Sequence, residues 1–239
     1  MQVTWLERTE LLLGPEKLER IKNSNILVVG LGGVGAIAAE MLCRAGVGKM
    51  TIVDGDVVEI SNRNRQLPAL ISTSGLSKAQ VLYGRFKDIN SDFDLTVVDE
   101  FIKDNRTEAL LDSQQFDYVV DAIDTLSPKV FLIHHSLQRN LKIVSSMGAG
   151  GKLDPSKVQV ADISASFNCK LAKMIRKRLS RLGIREGVKV VFSSELVNKK
   201  AMYREETANK TSIVGTISYM PAVFGCFIAS VAIDGVLNS

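Results

Sequence analysis

Cysteine is scarce in this chain and poorly spaced for metal binding. Cys43, Cys169 and Cys226 form no CxxC pair and are odd in number. That argues against a disulfide framework and against a structural zinc site. No GxxxxGK[ST] stretch occurs, so P-loop phosphoryl transfer is not expected. Internal repeats and low-complexity tracts are missing as well. Histidine is limited to His134 and His135, side by side in a predicted helix with no partner in view, and neither is given a role. The opening residues, Met1-Gln2-Val3-Thr4-Trp5, lack the basic-then-apolar layout of a secretory signal, so a cytoplasmic protein is expected. What remains is ordinary for a soluble globular chain. Its 239 residues, 46 % hydrophobic and 23 % charged, suit one α/β domain with a substantial core.

Against that background one turn stands out. Ile26-Leu27-Val28-Val29 is a β-branched run of the kind used by a buried parallel strand. Gly30-Leu31-Gly32-Gly33-Val34-Gly35 follows it, and Ala36 to Ala45 is rich in helix formers. In such a turn the first glycine permits the bend, the second admits a phosphate to the backbone amides, and the third lets helix and strand pack closely. The helix N-terminus adds free N–H groups and a positive dipole end. Asp54 ends the next strand, Met50-Thr51-Ile52-Val53, where an acid commonly holds ribose hydroxyls; Asp56 reads as a turn residue beyond it.

The turn alone says only that a nucleotide is bound. Asn62-Arg63-Asn64-Arg65-Gln66 and Lys78 say more. Hydride transfer leaves a pyrophosphate intact and needs no cluster of cations and amides around it. Cleavage between the α and β phosphates does, because negative charge develops there in the transition state. Arg65 and Lys78 supply the cations, and Asn62 is suited to orienting a phosphate oxygen. Asp121-Ala122-Ile123-Asp124 ends another predicted strand, which puts Asp124 at the carboxyl edge of the sheet, where ligands of such folds bind. A carboxylate there suits Mg²⁺ bridging phosphates, or alternatively caps the helix that Leu126 begins.

These residues, in this order, resemble the ubiquitin-activating-enzyme superfamily, the ThiF/MoeB/HesA group, over nearly the whole chain from about Arg8 onward. Asp121-Ala122-Ile123-Asp124 and Gly148-Ala149-Gly150-Gly151-Lys152-Leu153-Asp154-Pro155 are most similar to its tRNA threonylcarbamoyladenosine dehydratases. The resemblance implies an ATP- and Mg²⁺-dependent enzyme that adenylates a carboxylate, here the threonyl group of a modified tRNA adenosine, and cyclises it. It implies Gly30, Gly32, Gly33, Gly35, Asp54, Asn62, Arg65, Gln66, Lys78 and Asp124 around the nucleotide, with Asp124 on the metal. It also implies a homodimer in which Arg8 crosses to the partner's phosphates. A monovalent cation and a sulfur-transfer or redox accessory protein stay open. Zinc-bearing relatives carry two CxxC pairs, and many use a cysteine after the fifth strand as an acyl acceptor. This chain departs from both patterns, which speaks against the rival reading, activation of a ubiquitin-like sulfur carrier. Other rivals are an NAD-dependent oxidoreductase and a non-catalytic nucleotide-binding scaffold.

The expected fold is α/β: a Rossmann-like, doubly wound, largely parallel sheet. Strand-like runs at Asn25–Gly30, Lys49–Asp54, Leu95–Asp99, Phe116–Asp121 and Leu141–Ser146 alternate with helical stretches. A helical arm over residues 1–24 precedes the nucleotide-binding core of 25–151. Residues 152–239 hold two further strands, a basic helix at Lys170–Arg181, a polar mobile loop from Asn198 to Thr211, and an apolar helix over Ile217–Leu237. That last helix is nearly long enough for a membrane span, but Pro221, Gly225 and Asp234 interrupt it and a buried core or dimer-interface helix is expected. Cys43 and Cys226 read as buried, and none of the three cysteines is expected to be catalytic. Net charge is +4, yet Lys170–Lys200 alone carries +8 and the remainder −4, a pattern expected for phosphate contact with tRNA. Phe167 and Tyr203 are the nearest aromatics able to stack a splayed base.

Overall fold

Local chemistry sets up the elements that position the glycine turn. The structure is a computed structural model and describes residues 4–102, 105–197, 201–203 and 213–238. Strands β1 (Asn25–Val29), β4 (Tyr118–Asp121) and β5 (Ile143–Ser146) are buried at every position, which is why they read as unbroken runs rather than alternating ones. With β2 (Lys49–Val53), β3 (Asp94–Val98), β6 (Val158–Asp162) and β7 (Lys189–Ser193) they form one sheet in the order β3-β2-β1-β4-β5-β7-β6. All neighbours are parallel except β6, which runs antiparallel to β7.

This order contains one reversal. The chain leaves β1 toward β2 and β3, then returns to place β4 on the other side of β1. Open α/β sheets bind ligands at the carboxyl ends of the strands beside such a reversal. Here the residues leaving β1 and β4 are Gly30 and Ala122. Both faces of the sheet are covered. Ile26 and Val28 join one apolar core with α3 (Gly35–Ala45), α4 (Lys78–Ile89) and α8 (Tyr219–Leu237). Leu27 and Val29 join the other with α5 (Asn105–Asp112), α6 (Leu126–Gln138) and α7 (Lys170–Arg181).

One buried carboxylate ties the two helices whose N-termini carry site residues. Glu40 of α3 accepts from Arg85 Nε of α4 at 2.6 Å and from Arg44 Nε at 2.8 Å. Burial works to raise the Glu40 carboxyl, but the hydrogen bonds and charges of Arg85 and Arg44 outweigh it and hold the group below its ordinary value.

Helix α8 is long and apolar enough to cross a membrane by length and composition, and most of it is packed inside the molecule. Gly225 lets it lie against α3, since a Cβ there would stand 2.7 Å from the Val34 carbonyl. It is not buried all round, however. Cys226, Ser230 and Asp234, four residues apart, form an exposed stripe, so Cys226 is exposed and not the buried residue expected from the sequence. Cys43 is buried as expected.

Two short helices precede the sheet: α1 (Glu7–Leu13), which buries none of its residues, and α2 (Pro15–Lys22), which buries Leu18 and Ile21. Most of the Asn198–Thr211 stretch, read from the sequence as a mobile loop, lies outside the described residues. Within it Met202–Tyr203 (β8) pairs antiparallel with Ile213–Val214 (β9).

Candidate nucleotide site

The glycine turn is built by close backbone approach. Gly30 takes φ +90° and leaves 2.8 Å between a hypothetical Cβ and the Ala122 carbonyl oxygen. A Cβ on Gly35 would stand 1.7 Å from the Gly30 carbonyl oxygen, so no side chain fits there. Gly33 admits the start of α8, because its Cβ would meet Pro221 at 2.9 Å and the Arg65 carbonyl at 3.4 Å. Gly32 differs: only Gln66 Nε2, at 3.8 Å, lies near it. Val34 at the N-cap of α3 contributes no side-chain cap; the Ala36 N–H turns back onto the Gly32 carbonyl at 3.2 Å, and the Gly35 N–H at the helix start has no intrahelical acceptor. An anion fits that cradle, which Cβ atoms would fill.

Asp54 holds the far side of the turn. Its Oδ2 accepts the Leu31 N–H at 2.6 Å and its Oδ1 accepts the Asp56 N–H at 2.8 Å. Burial raises its pKa, opposed by those N–H groups and the Lys78 charge.

The polar cluster folds back on the turn through a 3₁₀ turn, Ile60–Asn62. Asn62 is buried; its Oδ1 accepts the Glu59 N–H at 3.2 Å and its Nδ2 donates to Ser61 Oγ at 3.4 Å, so this carboxamide builds its own loop at both ends. Arg65 Nη1 donates to the Ser61 carbonyl at 2.9 Å and to Asn64 Oδ1 at 2.8 Å; neither acceptor is charged. Lys78, buried at the start of α4, is ion-paired to Asp56 Oδ2 at 2.8 Å. Asp56 is thus the partner of Lys78, a role that its reading as a turn residue missed. Gln66 Oε1 is buried with no partner among the described residues.

Asp124 is exposed beyond the end of β4. The N-cap residue of α6 is Thr125, one position further on. No group of three His, Cys, Asp or Glu that could hold a metal by itself occurs among the described residues. One carboxylate at a phosphate cradle does fit Mg²⁺, which is commonly held by one or two carboxylates plus phosphate oxygens and water. Behind Asp124, Asp121 and Lys129 form a buried ion pair that the sequence reading did not single out. Burial raises the Asp121 pKa, against the Lys129 charge and hydrogen bonds from Ser145, Lys129 and the Ile123 N–H. A lysine in the first turn of an apolar helix, eight residues after a strand-ending aspartate, was the available signal. Two surface concavities, of about 350 and 250 Å³, share no residue with this crevice.

A profile of the ThiF family matches residues 6–239. The chain belongs to the ThiF family. It is 41 % identical over 227 residues to the tRNA threonylcarbamoyladenosine dehydratase of Bacillus subtilis, covering 94 % of this chain and 88 % of that one. It is 39 % identical over 201 residues to the Escherichia coli enzyme of the same name, covering 80 % and 75 %. The crystal structure of E. coli tRNA N6-threonylcarbamoyladenosine dehydratase with ATP superposes with a TM-score of 0.88 at 35 % identity, covering 97 % and 93 %. The same E. coli enzyme with AMP gives 0.87.

On the other side of the crevice this ThiF-family chain places the Gly148–Pro155 loop. A Cβ on Gly150 would stand 3.1 Å from Thr216 Oγ1, and the Thr216 carbonyl accepts from Asn64 Nδ2 at 2.9 Å, which links this loop to the polar cluster. Lys152 is buried, donates to the carbonyls of Asn168 and Glu195, and has its pKa lowered by burial. Cys169 is buried at the N-cap of α7, where Sγ accepts the Ala172 N–H at 3.5 Å. On α7, Lys170, Lys173, Lys177 and Arg181 are exposed. Arg176 departs from the expected solvated face: its Nη1 is turned inward onto the Ser166 carbonyl at 2.7 Å. Arg178 reaches Ser127 Oγ at 2.7 Å, which sets the basic helix beside the start of α6. Phe167 packs edge-on against Phe192 with ring centroids 5.5 Å apart. The side chain of Tyr203 lies outside the described set. Arg8 is exposed on α1.

Proposed function

We propose that this ThiF-family protein adenylates the threonyl carboxylate of N6-threonylcarbamoyladenosine in tRNA and then closes it into the cyclic, dehydrated form. One observation carries the reading. The polar cluster meets the glycine turn at the sheet's reversal, the Arg65 carbonyl lying 3.4 Å from a Cβ built on Gly33, and it carries a guanidinium, Arg65, whose hydrogen bonds go to the uncharged Ser61 carbonyl and Asn64 Oδ1. The relatives with ATP and AMP bound, matched over nearly the full chain, supply the nucleotide.

In this reading the first amides of α3 and the Gly32 backbone hold the phosphates of ATP, and Asp54 holds the ribose hydroxyls. The substrate carboxylate oxygen attacks the α-phosphorus while the bond to the β-phosphate oxygen breaks and pyrophosphate leaves. Arg65 and Lys78 stabilise the charge that develops there. Asp124 would hold Mg²⁺, which supplies further neutralisation of the phosphates. The ureido group of the same substrate then attacks the acyl carbon, loses its proton, and expels AMP. Ring closure within one molecule is fast by proximity and needs no enzyme thiol, in keeping with the placement of Cys169 in a helix cap and Cys226 on an outer stripe.

The same reading assigns the exposed lysines of α7 to the tRNA backbone and the protein's work to the cytoplasm. It also makes the protein a homodimer with Arg8 acting across the interface. In support, α1 buries no residue of its own and leaves Leu11 and Leu12 81 % and 82 % exposed, an apolar face that a second copy would cover. Pyrophosphate release measured with modified tRNA, unmodified tRNA and no tRNA tests the whole: release only with the modified tRNA is expected, and release independent of tRNA rejects this substrate.

A further inference from the structure

Behind the crevice lies a charged cluster drawn from β4, β5 and α6. Asp121, the last residue of β4, and Lys129, in the first turn of α6, are paired at 2.9 Å with both side chains 0 % exposed. Ser145 is registered against Asp121 across β4 and β5, and its hydroxyl donates to Asp121 Oδ2 at 2.6 Å. Asp121 Oδ1 accepts the Ile123 N–H at 3.1 Å. Lys129 Nζ donates to the Ile123 carbonyl at 2.9 Å. One ion pair therefore grips both the amide and the carbonyl of Ile123.

A lysine in this place is disfavoured twice, by desolvation and by the positive end of its own helix. Stability alone gives no reason for it, since buried ion pairs replaced by apolar residues of similar volume often leave a protein equally stable. Its location is the informative part. Ile123 sits between Ala122, whose carbonyl leaves Gly30 no room for a Cβ, and Asp124 at the open edge. The backbone of residues 122–124 is one wall of the nucleotide crevice, and the cluster is what holds that wall.

We propose that Asp121, Lys129 and Ser145 are positioning residues that preset the Ala122–Asp124 wall, so that the cluster serves nucleotide binding and adenylation. The proposal rests on the nucleotide reading above. Partners that orient the ligands of a metal site contribute about tenfold or more to affinity or activity, and an effect of that order is expected here. The test uses the full chain and two variants, the double substitution D121N/K129M, which removes both charges at similar volume, and S145A, which removes one hydroxyl. Melting temperature, ATP affinity by calorimetry, and kcat and KM for ATP in pyrophosphate release are measured for each.

The double variant is expected to fold with a lowered melting temperature, because the Ile123 carbonyl loses its donor, while its KM for ATP rises about tenfold and kcat falls. S145A is expected to shift KM in the same direction by a smaller factor, with a modest drop in melting temperature from the buried hydrogen bond it loses. A folded double variant with wild-type KM and kcat overturns the proposal. If the double variant fails to fold, S145A decides, and unaltered kinetics in it overturn the proposal. A wild-type protein that neither binds ATP nor releases pyrophosphate sinks the nucleotide reading and this proposal with it; an active wild type beside unaffected variants sinks the proposal alone.

Discussion

The two sides of the crevice handle charge in opposite ways. On the nucleotide side the chain answers its own ionised groups: Asp54 accepts two backbone N–H groups, Lys78 has Asp56, and Asp121 has Lys129. Arg65 is the contrast, held in place by neutral acceptors. On the other side, Lys170, Lys173, Lys177 and Arg181 stand exposed along α7. The first arrangement spends its charges on short, directed contacts within the protein. The second offers a field to a large polyanion, and needs no fixed geometry to do so.

The most severe break of this contrast should come from the turn itself. Gly35→Ala puts a Cβ 1.7 Å from the Gly30 carbonyl and is expected to cost about 3 kcal/mol or more, or to prevent folding. Gly32→Ala meets only Gln66 Nε2 at 3.8 Å, so it should melt like wild type while binding ATP more weakly. Thermal melts with ATP titrations separate the two. Equal melting points for both variants would mean that the turn is not close-packed.

Next in size is the pair of cations. Arg65→Ala should lower turnover by about 3–4 kcal/mol of transition-state stabilisation with little change in melting temperature. Lys78→Ala should lower turnover too, but also destabilise, because it removes a buried side chain and leaves Asp56 without its partner. Pyrophosphate-release rates set beside melts check this, and near-normal rates in both variants would remove these residues from the site.

A milder and more graded effect is expected on α7. Reversing Lys173, Lys177 and Arg181 to Glu should weaken tRNA binding and flatten its dependence on salt. The log–log slope should fall by about 0.9 for each phosphate that is no longer neutralised. Arg176 is a poor choice for this purpose, since it holds the Ser166 carbonyl. ATP affinity should stay unchanged. Binding isotherms at several salt concentrations provide the readout, and an unaltered slope would make the basic face a solvated surface.

The smallest effect is expected at the thiols. Cys169→Ser keeps an N-cap acceptor for the Ala172 N–H, and Cys226→Ser exchanges an exposed group. Both should retain most of their turnover and stability. A well-folded Cys169→Ser protein without activity would restore a thioester step.

Much of this molecule is legible along the chain because it is local. The apolar runs of β1, β4 and β5 announce buried parallel strands, and alternation with helical stretches announces the doubly wound sheet. The Gly30–Gly35 spacing announces a phosphate turn, since a tight bend tolerates no Cβ. The charge asymmetry of Lys170–Lys200 is a matter of counting. Pairing over distance is different, because it depends on which strands and helix ends the sheet order brings together. Only the fold decided that Lys78 is answered by Asp56 and that Asn62 uses its carboxamide oxygen on its own loop. Only the fold turned Arg176 inward and left Cys226 on an exposed stripe of an otherwise apolar helix. The Asp121–Lys129–Ser145 cluster shows why: its members come from β4, α6 and β5, and desolvation forces them to satisfy one another once those elements pack.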